Sequence, residues 1–372
     1  MTILLATLAL LLAGSLMYSV LSVIAAMRYL AVGPPLEPPS PEPISVMKPL
    51  AGLDDGLEEN LRSFFTQDYP QFEIVFAVRE ASDPCVPLVR RLSTEYPHVP
   101  SQLLVVGEPP YPHAKVYSLA RMLAEARHDL VVMSDSDIRV GPDLLRAISA
   151  EFADGRTALA TCPYRAIAGR SFWSRLEALG MNTNFWQGVL TARLLAGMKF
   201  AVGPTIAGRR RAIEAIGGIE RVKDYIAEDF DLGRLMDQAG HRVILSSYVI
   251  EHRIGSEPCA KNFTHRIRWG RTSRRSRPLG YIGQIFTFPI PVALLIYALM
   301  PQAWPVLALT ASIRYASAWM ISQVVLGAPL NWLLLPVEDV LGFLFWIAGF
   351  FGNTITWRGR TYRIDRQGRA VA

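Results

Sequence analysis

The sequence predicts an α/β protein with a parallel sheet, helices on both of its faces, one N-terminal membrane helix and two to three C-terminal ones. Three observations carry this. Strand-like and helix-like stretches alternate between residues 44 and 134, long uncharged apolar runs lie on either side of the polar region, and one apolar strand ends in a pair of carboxylates.

The first element is an uncharged apolar run over residues 3 to 27, long enough to cross a bilayer and too long for the apolar core of a cleaved leader. Arg28 follows it with no charge before it, which favours an outside amino terminus and a cytosolic continuation. Residues 1–30 are therefore expected to be a transmembrane helix and 31–43, with GPPLEPPSPEP, a proline-rich extended linker. From there, Ile44 to Lys48, Phe72 to Val78, Gln102 to Val106 and Leu130 to Met133 read as short buried strands. Helical stretches separate them near residues 56–67, 84–96 and 115–127. Such alternation makes a parallel sheet whose carboxyl-end loops converge on one crevice, within a cytosolic domain spanning residues 44–255.

The strand LVVM runs into Asp135-Ser136-Asp137, and two carboxylates two residues apart at that end of an open sheet suit a hard divalent cation, Mg²⁺ or Mn²⁺, carrying a phosphorylated substrate. An isolated Asp-x-Asp is more often a turn or a helix cap. The chain has no Walker or GxGxxG element, so the two commonest phosphate-binding loops are excluded.

Beyond residue 280 the apolar segments 282–300, 303–325 and 331–351 are each expected to be long enough to span. The basic tail, 356–372, and the polar domain both belong in the cytosol, so an even number of crossings should separate them. The segment broken by Pro289 and Pro291 is the expected interfacial or re-entrant one. A basic segment, 256–281, precedes this membrane region, 282–355. The net charge of +6 is concentrated beside apolar runs, which points to anionic lipid rather than nucleic acid. The arginines of residues 266–277 read first as a headgroup surface, with Arg268 and, second to it, Arg271 reserved for a site. Three dispersed cysteines fit a reducing cytosol and define neither a disulfide framework nor a zinc site.

The motifs SVMKPLAGLD, FFTQDYP, FAVREASDP, SDSDIRV, YIAEDF, HRIRW and WRGRTYRI, in this order and spacing, resemble those of membrane-bound inverting glycosyltransferases of the ceramide glucosyltransferase type. The likeness runs from about Ser45 to the end of the chain, and the stretch WGRTSRRSRPLGYIGQ also looks like bacterial hopanoid glycosyltransferases. The resemblance implies a GT-A fold with a mixed, mostly parallel sheet, a UDP-sugar donor, a lipid acceptor, and a multi-pass enzyme whose catalytic domain faces the cytosol, in a bacterial inner membrane. Residue by residue it implies nucleoside contact at Glu80 or Asp83, nucleotide contact at Lys115, Asp135 and His265, and metal at Asp135 and Asp137. It makes Asp229 the catalytic base and has Arg268 and Trp269 close over donor and acceptor. His265 stands where Gln or Arg is usual in that family, and Glu80 where Asp is usual.

These residue types suit the chemistry. A departing diphosphate gathers negative charge that a cation and Arg268 can stabilise, and an attacking alcohol must lose a proton to a carboxylate. Each residue also has a structural reading: Glu228-Asp229 as an acidic first helical turn, Asp83 as a cap, Lys115 as a solvated helix residue, Trp269 as an interfacial anchor. The polar-aromatic run GMNTNFWQG, 180–188, is a candidate acceptor entrance. A processive polysaccharide synthase and a non-catalytic transporter or scaffold are the competing functional classes. The first would need more membrane helices than three segments provide.

Overall fold

The computed structural model describes residues 1–36, 38, 40–357 and 360–371. Glu37 and Pro39 of the proline-rich stretch, and Arg358 and Gly359 of WRGRTYRI, lie outside the described residues. The chain forms two compact units. One comprises residues 33–164 and 198–255; the other comprises 1–32, 165–197 and 256–372.

The first unit is built on a seven-stranded sheet: β1 (Ile44–Pro49), β2 (Phe72–Val78), β3 (Ser101–Val105), β4 (Leu130–Ser134), β5 (Thr157–Thr161), β6 (Thr205–Arg209) and β7 (Arg242–Leu245), in the spatial order β3-β2-β1-β4-β6-β5-β7. The four strands expected from the sequence pair in parallel, with Val46 beside both Ile74 and Val132. Strand β6 runs antiparallel to both β4 and β5, so the sheet is mixed and mostly parallel. Strands β1, β2 and β4 are buried almost throughout, because helices such as Leu57–Phe65 and Ala114–Glu125 leave no face to water. Chain order reverses between β1 and β4, which opens a crevice beyond their carboxyl ends, next to Lys48 and Asp135. The far end of the linker is tied down, since Arg209 forms an ion pair with Glu42 and the Tyr69 hydroxyl donates to the Glu42 carbonyl at 2.5 Å.

The second unit is helical. Among the described residues two helices are long and apolar enough to cross a membrane, Thr2–Leu30 and Trp332–Gly349; Pro278–Thr287 with Pro289–Leu299, bent by 56°, makes a third if the pair is one span. The break falls at the expected prolines, where a missing amide and a ring clash interrupt the helix. The stretch expected to span over 303–325 does not join these candidates. Its α-helix ends at Trp319 after 16 residues and passes into a π-turn, and its fully buried Arg314 is bound through two nitrogens to Asp339 at 2.8 Å. Leu8 and Leu12 of the N-terminal helix pack with Val292, Ala293 and Ile296. The chain closes in an antiparallel sheet of Thr354–Trp357, Arg360–Ile364 and Ala370–Val371.

Candidate active site

Strand β4 delivers Asp135 and Asp137 to the crevice, and the amino terminus of helix Glu228–Gln238 delivers Glu228 and Asp229. Lys115, in the first turn of helix Ala114–Glu125, joins them. Its ammonium lies 2.7 Å from Asp135 Oδ1 and 2.9 Å from Glu228 Oε1, and Lys115, Asp135, Glu228 and Asp229 line one pocket with Gly203 at its wall. Lys115 is therefore no solvated helix residue. Burial alone would lower its pKa, but Asp135 and Glu228 raise it, so it stays charged.

The neighbouring carboxyls of YIAEDF behave differently. Burial opposes charge on Glu228, yet Lys115 at 2.9 Å and His113 Nε2 at 3.3 Å outweigh it and hold the carboxyl well below its usual range. Asp229 accepts from the Gly203 amide and from the Phe230 amide at 2.7 Å, but burial and the charge of Glu228 dominate and push its pKa up from 3.8 to about 6. One carboxylate is thus a permanent anion and the next a group poised to take a proton near neutral pH.

Asp135 and Asp137 split in the same manner. Burial lifts Asp135 despite Lys115, and Asp137 adds to the lift. Burial would also lift Asp137, but His252 Nε2 at 3.1 Å, helped by Lys48 and Lys115, holds it below its ordinary value. Lys48 is fully buried beneath the pair. Its ammonium donates to the Asp135 carbonyl at 2.5 Å and lies 4.0 Å from the centre of the Phe64 ring, and burial brings its pKa down to about 7.

The donor set fits a divalent cation. Asp137 Oδ1 is buried without a hydrogen-bond partner among the described residues, beside a carboxylate and an imidazole. No group of three or more His, Cys, Asp or Glu side chains is set to hold a metal among the described residues, so water and donor phosphate oxygens would have to complete the shell.

The acidic loop after β2 lies apart from this pocket's lining. Asp83 accepts from the Gly52 amide at 3.1 Å and the Cys85 amide at 3.0 Å, tying the loop after β1 to the one after β2, while the exposed Glu80 side chain accepts from Ser82 Oγ at 3.3 Å. His265, Arg268 and Trp269 stand in the other unit, on helix Cys259–Ser276, with His265 Nδ1 2.6 Å from Glu177 and its ring 4.6 Å from that of Trp269. Three neighbouring arginines have internal partners instead of the expected headgroup surface. Arg266 pairs with Glu338, and Arg271 and Arg274 donate to carbonyls of residues 350–354 that follow helix Leu335–Gly349. Arg271 is thereby accounted for by the fold.

Sequence reading missed Lys48, His113 and His252 as members of the site. Lys48 and His113 stood in view inside KPLAGLD and PHAK, two residues from Lys115 in the second case; His252 carried no local signal.

The chain belongs to glycosyl transferase family 21, whose model matches residues 7–370. It is 28% identical to ceramide glucosyltransferase 1 of Caenorhabditis elegans over 231 residues, which is 61% of this chain and 48% of that protein. A ceramide glucosyltransferase of Komagataella phaffii is 34% identical over 107 residues, 28% of this chain and 21% of the relative. The chain spans about half the length of the first of these relatives or less. Among solved structures, a mannosyltransferase from Pyrobaculum calidifontis in complex with GDP-Man and Mn²⁺ superposes with a TM-score of 0.56 at 20% identity, covering 93% of this chain and 97% of that one. The fold is the GT-A fold that the motifs implied, carried by a membrane protein.

Proposed function

We propose that the protein is an inverting glycosyltransferase that moves a hexose, glucose or N-acetylglucosamine, from a UDP-sugar to the hydroxyl of a ceramide-like membrane lipid. The observation that carries this is the contrast within YIAEDF, with Glu228 locked as an anion by Lys115 and Asp229 raised to about 6 beside it. A base of that pKa is mostly ionised at neutral pH and still basic enough to accept a hydroxyl proton. Asp229 takes the acceptor proton, the alcohol oxygen forms its bond to the anomeric carbon, and the bond from that carbon to the diphosphate breaks to release UDP. Direct displacement turns an α-linked donor into a β-linked product.

Asp135 and Asp137 would hold a divalent cation, Mg²⁺ or Mn²⁺, with water and donor phosphate oxygens completing its shell, and such an ion when bound neutralises charge on the departing diphosphate. Lys115 keeps Asp135 and Glu228 in place. Glu80, with Asp83 behind it, takes the nucleoside; Arg268 supports the diphosphate, and Trp269 receives the acceptor. In this reading residues 44–255 form a catalytic domain on the cytosolic face of a multi-pass protein, with residues 1–30 and 282–355 in the membrane. Membranes containing the full chain are incubated with radiolabelled UDP-glucose or UDP-N-acetylglucosamine and with ceramide or a hopanoid polyol. Label in ceramide supports the proposal, label in the hopanoid alone replaces the acceptor, and label in neither lipid ends it.

A further inference from the structure

We infer that Glu177 is a positioning residue for the HRIRW helix, and that His265 is the point by which Glu177 grips that helix instead of a contact to the donor nucleotide. The inference rests on the functional reading above and deepens it. Glu177 lies on helix Phe172–Gly180 with its side chain only 4% exposed. A buried carboxylate needs partners for both oxygens, and both of these go to the same neighbour: Oε1 is 2.6 Å from His265 Nδ1, and Oε2 accepts from Asn262 Nδ2 at 2.5 Å. Asn262 and His265 are three residues apart and so share one helix face.

A second grip stands on the adjoining face. Arg266 meets both carboxylate oxygens of buried Glu338 and lies 4.5 Å from the centre of the Phe345 ring, both on the membrane helix Leu335–Gly349. That helix passes close by: a methyl group at Gly270 would come within 3.0 Å of the Tyr281 hydroxyl and 3.4 Å of the Gly349 Cα. Successive helical residues point about 100° apart, so anchors at 265 and 266 together set the rotation of the helix about its axis. The heading of Arg268 and Trp269 follows from that rotation, and the Trp269 ring rests directly on His265. Histidine, glutamine and arginine all present an N–H to a carboxylate, which explains how His265 can stand where Gln or Arg is usual.

The test uses the full chain in lipid nanodiscs, with Glu177→Ala, His265→Ala, the double variant and His265→Gln. Losing the grip misplaces groups by the order of an ångström, so each alanine variant is expected to lower kcat roughly 10- to 100-fold. The double variant should be no slower than the worse single one, and His265→Gln should stay within about threefold of the parent. UDP affinity by calorimetry with Mn²⁺ should be unchanged in all four, and amide hydrogen exchange over residues 259–276 should quicken in Glu177→Ala. Additive losses, a drop in UDP affinity confined to the His265 variants, or unaltered exchange would each overturn the inference. Exchange and UDP binding need no acceptor. A parent protein that binds UDP and glycosylates no lipid therefore sinks the functional reading, separately from the grip.

Discussion

Replacing Asp229 with asparagine isolates the feature on which the proposed chemistry depends. The substitution keeps the shape, removes the base, and is expected to cut kcat by about 10²- to 10⁴-fold while UDP still binds. The pH profile follows from the site. With a pKa of about 6 the carboxyl is roughly 90% ionised at pH 7 and a little under roughly 10% at pH 5, so kcat should fall about tenfold between them. Stability carries the opposite trend. A folded-state pKa raised above 3.8 favours the fold at low pH, and the contribution is lost as pH rises through about 6. Full expression of that rise would cost about 3 kcal/mol at neutral pH, and partial solvent screening discounts it to about 1–2 kcal/mol. Asparagine removes this cost but offers one acceptor oxygen to two amides, those of Gly203 and Phe230, which takes back about 1–3 kcal/mol. Thermal stability at pH 7 should therefore change little, while its pH dependence between 4 and 7 flattens. Single-turnover kinetics and melting curves in nanodiscs across that range measure both. An asparagine variant that keeps a tenth of parental turnover, or a parental acid limb lying below pH 5, would refute the reasoning.

Lys115→Met leaves Asp135 and Glu228 facing each other without their shared counter-charge; it should lower stability by up to about 3 kcal/mol and abolish turnover, and an unshifted melting temperature would contradict the electrostatic account. Chelation is expected to stop transfer, with Mn²⁺ or Mg²⁺ restoring it, and Asp137→Asn should raise the ion concentration needed by at least about tenfold in an activity titration. In the helical unit, Arg314→Leu strands Asp339 as an uncompensated buried charge and should cost about 3–5 kcal/mol, seen as loss of monodisperse protein on fluorescence size-exclusion. Adding Asp339→Leu should recover much of it, because the desolvated partner is then gone as well.

The class of this protein is legible in its linear pattern of residues. Period and length mark β1, β2 and β4 and their helices, because a strand buried on both faces must be apolar throughout and a helix covering it must be apolar on one side, whereas β3, also read as buried, is a half-buried edge strand. Asp135, Asp137 and Asp229 could be singled out because each sits in a short motif at an element's end, and the N-terminal span because bilayer crossing demands an uninterrupted apolar run. How those groups behave follows from the folded arrangement alone. Glu228 and Asp229 are adjacent in the chain, but Lys115, more than a hundred residues away, separates their roles by pairing with one of them. The same holds for Lys48 under Asp135, His252 beside Asp137, Glu177 against His265, and the arginines spent on carbonyls and on Glu338. Burial and charge–charge distance are properties of folded geometry, and no local pattern encodes which distant side chain will supply the compensating charge.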